Sequence, residues 1–166
     1  MASMDKACYC FIWLILTCGT ICLLTGAGTS YWLSNNNNDG HQGIFQKCEP
    51  ASILASGCET SVIKFWQAKV PEAARLCLIA SMGLLVLATL LSCISPCIEK
   101  DISFAYVLMD LGAFLTALAA LVLYTVEYKD VADKSWGWSY ILAWVGCSLH
   151  ALGVTLLCWA GCVEAE

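Results

Sequence analysis

No charged residue occurs between Ala7 and Asn38. The apolar part of that run, Cys8 to Trp32, is long enough to cross a hydrocarbon core of about 30 Å as a helix. A secretory leader would carry an apolar region of roughly 7–15 residues, so a retained membrane span is the expectation. A second apolar run covers residues 73–95. Pro71 suits a first helical turn, Glu72 favours the positive helix end, and Pro96 with Glu99, Lys100 and Asp101 closes the run. A third span is expected over 102–126 and a fourth over 138–162. The charged stretch between them, Glu127 to Gly137, belongs in water, and Trp136, Trp138 and Tyr140 stand where an interfacial aromatic belt forms.

The predicted order is helix, long loop (33–72), helix, tight turn, helix, medium loop (127–137), helix, within one domain of 166 residues. Four spans put both termini on one side and both large loops on the other. In the first loop, "GIFQKC" and "SVIKFW" have strand composition, while "SNNNNDGHQG" and "EPASILASG" carry turn chemistry. A small antiparallel sheet on a helix bundle is the simplest reading. Cys48 and Cys58 lie in this loop, and a disulfide between them would stabilise it by roughly 3 kcal/mol on a chain-entropy argument. Two free thiols, or a metal site using His41, are the other readings.

Composition agrees with the bilayer as solvent, since only 13% of residues are charged against about a quarter in soluble domains. The net charge of −5 speaks against a nucleic-acid partner and a polybasic lipid-binding tail. Sidedness is contested. Cytosolic termini would leave only Lys6 and Lys100 inside, which opposes the positive-inside rule. A Cys48–Cys58 disulfide would instead put the first loop in an oxidising compartment. No phosphate loop, nucleophile elbow or paired metal-binding histidines occur, so neither enzyme chemistry nor a cofactor or metal is expected.

Trp32, then Gly43-Ile44-Phe45-Gln46-Lys47-Cys48, then Cys58 after nine residues, resembles the signature of the claudin superfamily, which includes peripheral myelin, epithelial membrane and lens fibre membrane proteins. "PEAARL" at 71–76 is similar to the family segment that opens the second span, with Arg75 at the family's arginine. "WSYILAWV" at 138–145 resembles the epithelial and lens branch. Phe45 stands where the motif usually has Trp. The resemblance implies a left-handed four-helix bundle topped by a five-stranded antiparallel extracellular sheet, with cytosolic termini. It also implies that Glu59, with Glu49, sits where claudins set charge selectivity, so a cation preference is one expectation and a solvated surface acid the other. Arg75 would link the sheet to the bundle through loop carbonyls or a carboxylate, or else snorkel to the interface. Trp32 and Phe45 would pack beneath the sheet or join the belt. The final residues, "GCVEAE", lack a Tyr-Val-type ending, so no direct PDZ partner is expected.

Within the spans, Asp110 costs roughly 2.5–3.5 kcal/mol on insertion scales unless paired or protonated. His150 lies at similar depth on the fourth span, so an interhelical bond is expected, with a proton relay as the sharper alternative. Gly146 and Gly153 share a helix face, and Ala113 and Ala117 form a small-residue patch suited to close packing or lateral assembly. Cys8, Cys10, Cys93, Cys97, Cys158 and Cys162 cluster towards the terminus side, where S-palmitoylation competes with plain packing. The expected function is adhesion, barrier formation or a charge-selective path at cell–cell contacts, through self-association in cis and trans. The alternatives are an auxiliary ion-channel subunit or a membrane-organising adhesion protein.

Overall fold

The computed structural model describes residues 6–35, 40–49, 57–60, 70–94, 103–130 and 134–164. Four long helices dominate: α1 (Lys6–Gly28), α2 (Val70–Ile94), α3 (Ser103–Tyr128) and α4 (Trp138–Glu164). Their apolar windows run 19–24 residues, roughly 30 Å or more of helix, so each is long and apolar enough to cross a membrane.

The radial pattern reverses that of a water-soluble bundle. Alanines 74, 88, 113, 117, 120 and 143 are nearly fully buried, while Leu87, Leu115 and Ile141 stand about half exposed on the outside. Lipid is as apolar as leucine, so burying large side chains gains little. Small residues gain more, because they let backbones approach. The helices accordingly associate as two tight pairs, α1 with α4 and α2 with α3, joined by a lighter α3–α4 contact and very little between α1 and α2.

In the first pair the close approach requires glycine. A Cβ on Gly146 would sit 2.7 Å from the Leu23 nitrogen, and one on Gly26 would sit 2.8 Å from the Ser139 carbonyl oxygen. Gly153 in turn receives the Leu16 side chain. In the second pair Ala113 and Ala117 face inward, and the buried Ser81 hydroxyl donates to the Ala113 carbonyl at 2.8 Å. Both small-residue patches are thus used inside the bundle.

At the end opposite the termini sits a five-stranded antiparallel sheet: β1 (Leu33–Asn35), β2 (His41–Gln42), β3 (Gln46–Glu49), β4 (Gly57–Thr60) and β5 (Lys134–Trp136), in the order β4-β3-β2-β1-β5. Several details depart from the sequence expectation. The apolar run to Trp32 is not helical throughout: α1 ends at Gly28, where Thr29 Oγ1 donates to the carbonyls of Thr25 (2.8 Å) and Gly26 (3.3 Å). His41 and Gln42, within the expected turn, form a strand because β1 and β3 flank them. The strand expected from Gly43 begins only at Gln46, since Gly43 is pressed against the backbone of Thr29 and Ser30 and Ile44 turns into the core. The strand expected over "SVIKFW" falls outside the described residues. β5 carries no sequence signal of its own; three residues become a strand by pairing with β1, Leu33 opposite Trp136.

Glycine spacing in the α1–α4 pair can be tested directly. Gly146→Val should destabilise the protein by about 1–3 kcal/mol through overpacking, read as a lower melting temperature in detergent. Gly83→Ala, whose added methyl would meet nothing within 4 Å, should cause no loss.

Candidate functional site: the sheet seated on the bundle

The sheet is fixed to the helices from two sides. On one side Trp32, the last residue before β1, is completely buried. Its indole Nε1 donates to the Gly26 carbonyl at 2.7 Å. That carbonyl belongs to the last turn of α1, where carbonyls lack helical partners, so the side chain caps the helix it follows. The ring meets Tyr124 of α3 edge-on at 4.8 Å and Tyr140 of α4 at 5.8 Å. Tyr140 also stacks on Trp136 of β5 at 4.3 Å. Thr125 already donates to the Leu121 carbonyl, so in its 2.6 Å contact with Tyr140 the phenol donates.

Backbone bonds tighten this junction. Trp32 N–H donates to Gln42 O (3.1 Å), Gly137 N–H to Trp32 O (2.8 Å) and Ser139 N–H to Tyr31 O (3.2 Å). The last of these supplies a partner to a first-turn N–H of α4. Gly137 is required here, because a Cβ would collide with the Tyr31 carbonyl.

On the other side Arg75, in the second turn of α2, donates from Nε to the Ile44 carbonyl at 2.6 Å. Ile44 is buried in the core and Phe45 packs half-buried against it. The bend that turns Ile44 inward leaves its carbonyl outside the strand ladder, and the guanidinium supplies the donor. Gln42 Nε2 adds a bond to the Tyr128 hydroxyl at 3.2 Å.

The remaining predicted positions fall elsewhere. Cys48 and Cys58 are direct register partners on β3 and β4; so are Lys47 with Glu59 and Glu49 with Gly57. Cys10 and Cys158 are exposed and Cys8 is half-buried, towards the ends of α1 and α4 that carry the termini. Cys93 and Cys162 occupy the last turns of α2 and α4. Cys97 lies outside the described residues. Asp110 and His150 are both buried and face each other across α3 and α4, with Oδ1 3.9 Å from Nδ1. That separation is too long for a hydrogen bond. Among the described residues no group of three His, Cys, Asp or Glu side chains could hold a metal ion.

Sequence reasoning overlooked Tyr124 and Tyr128, whose rings meet at a tilt, 4.6 Å apart, on the last turns of α3. Their four-residue spacing at a span end was the available signal. It also assigned Tyr140 to an interfacial aromatic belt, whereas Tyr140 turns inward; Trp138, half exposed and 5.8 Å from the Tyr31 ring, keeps the outer position.

Four membrane-length helices with an antiparallel sheet fixed on one end define a multi-pass membrane protein of the four-span class. The sequence profile of the PMP-22/EMP/MP20/Claudin family matches residues 8–157, and the chain belongs to that family. Comparison with curated proteins returned no match.

The anchor makes a measurable claim. Trp32→Phe keeps the aromatic contact but leaves the Gly26 carbonyl without its indole donor; it should cost about 1–3 kcal/mol. Arg75→Met should cost a similar amount by stranding the Ile44 carbonyl. Thermal unfolding in detergent checks both, and unchanged melting temperatures would remove these bonds from the account of the fold.

Proposed function

We propose that this protein works at cell–cell contacts of the plasma membrane, with the sheet outside the cell and both termini in the cytosol. The observation that carries this reading is the double attachment of the sheet to the bundle, by Trp32 and by Arg75. A platform held rigidly at the membrane surface can present a fixed face to a partner, because little conformational entropy remains to be lost on contact. The partner is a second copy of this chain or a related family member, engaged in trans through the sheet and in cis within the membrane.

The register of the cysteines supports this sidedness. Directly opposed residues of an antiparallel pair have Cα atoms about 4.5–5.5 Å apart, within the roughly 4.4–6.8 Å that a disulfide spans. Cys48 opposite Cys58 therefore supports a bond that ties β3 to β4, and such a bond persists outside the cytosol. Adhesion or barrier formation fits better than a charge-selective pore. Glu59 has Lys47 as its register partner, and opposite charges at facing positions offset each other. Cys10 and Cys158, exposed towards the terminus side, are the positions best suited to S-palmitoylation.

Expression in epithelial cells stripped of their own claudins tests the reading. The protein should concentrate at contacts and raise transepithelial resistance, with Glu59→Gln leaving the ratio of cation to anion permeability nearly unchanged. An even distribution with unaltered resistance would overturn it, and co-purification with a channel would then favour the auxiliary-subunit alternative. On intact cells, Cys48 and Cys58 should resist a membrane-impermeant maleimide until a reductant is added. Labelling without reduction would sink the disulfide.

A further inference from the structure

A cavity of about 80 Å³ lies among the four helices, in the half of the bundle nearer the termini. It occupies the region where α1 and α2 scarcely touch. One water needs roughly 10–15 Å³ by this measure, so the space accepts several waters or a small polar group.

The polar part of its wall is rich in acceptors. Asp110 brings a carboxylate. Thr17, Thr20 and Thr89 also line it, and each donates its single hydroxyl proton backwards along its own helix, to Trp13 O (2.8 Å), Leu16 O (2.9 Å) and Leu85 O (2.8 Å). A hydroxyl has one proton and two lone pairs, so these three offer acceptors alone. Behind Thr20 stands His150, its Nε2 3.3 Å from the threonine oxygen. Because the Thr20 proton is committed to Leu16, Nε2 is the donor in that contact. Neutral His150 then carries a lone pair on Nδ1, which is buried without a hydrogen-bond partner and faces Asp110 Oδ1 at 3.9 Å. Two acceptors oppose each other, and the three threonine hydroxyls beside them are acceptors too. Among the described side chains of the wall, the hydroxyls of Ser92 and Tyr106 have a proton to donate, and neither carries the positive charge that a carboxylate calls for.

We propose that this cavity binds a primary ammonium group. Its three N–H donors and positive charge match a carboxylate surrounded by lone pairs. Trp13 and Tyr106, also in the wall, add the aromatic surface that favours organic cations. A hard divalent ion fits less well, since the single carboxylate balances only one of its two charges and no second acidic, His or Cys ligand lines the wall among the described residues. The ammonium belongs either to an aminophospholipid headgroup entering sideways between α1 and α2 or to a small free amine.

Nanodiscs containing equal phosphatidylethanolamine and phosphatidylcholine distinguish the sources. After mild detergent extraction, native mass spectrometry counts the retained lipid. A headgroup site should retain phosphatidylethanolamine about tenfold over phosphatidylcholine, whose quaternary nitrogen has no N–H to donate. If the source is a free amine, ethylammonium chloride should instead raise the melting temperature in phosphatidylcholine-only nanodiscs, and tetramethylammonium chloride should not. Either preference should vanish in Asp110→Asn or in Thr89→Val, which is isosteric and preserves the fold if Asp110→Asn does not. Equal retention of both lipids with no ethylammonium effect overturns the proposal, as does a preference that survives both substitutions.

Discussion

The bond from the Trp32 indole to the Gly26 carbonyl is the constraint on which the junction between bundle and sheet depends. It closes the end of α1, giving the Gly26 carbonyl a 2.7 Å donor beside the longer 3.3 Å bond from Thr29. It also places the largest side chain of the core between α3 and α4, against Tyr124 and Tyr140. β1 begins at the next residue, so the seat of the indole sets where Leu33 meets Gln42 on one side and Trp136 on the other. Removing a buried tryptophan altogether typically costs about 3–5 kcal/mol, a large part of the net stability of a domain this size. The sheet is therefore an extension of the helix bundle rather than a loop resting on it. Arg75 holds the opposite side by supplying the donor that the inward turn at Ile44 demands.

The bilayer explains the pairing of the helices. Without a strong gain from burying leucine, stability comes from close backbone contact, and glycine and alanine provide it at the α1–α4 and α2–α3 interfaces. Two tight pairs cannot both also pack closely against each other along their whole length. The light contact between α1 and α2 leaves room near the termini, and the polar side chains of the interior border that room. Asp110 is buried inside the bundle, where its carboxylate faces His150 and this room instead of lipid.

Much of this was legible in the chain. The long apolar runs located four spans, and the pattern from Trp32 through Gly43, Ile44, Phe45 and Cys48 to Cys58, with Arg75, carried the family and the expected sheet. Arg75 was readable as a link from its match to the family's arginine at the opening of the second span, but its acceptor, a loop carbonyl or a carboxylate, was not. Asp110 and His150 were readable as neighbours from their depth along two helices. Their 3.9 Å separation was not, because it depends on how far apart α3 and α4 sit. β5 and the strand at His41–Gln42 were equally illegible. Segments of two or three residues have no periodicity, and their strand character comes from neighbours distant in the sequence.

The sequence by itself determined which segments leave water, because hydropathy is a sum over residues and needs no partner. It also determined that both large loops share one side, since four crossings return the chain to where it began. Only the tertiary structure decided which faces meet. Tyr140 and Trp138 have the same interfacial chemistry, yet one is buried against Trp32 and the other stays half exposed. The choice follows from the rotation of α4, and that rotation is set by Gly146 fitting against Leu23 of α1. A contact between residues more than a hundred positions apart has no local signature.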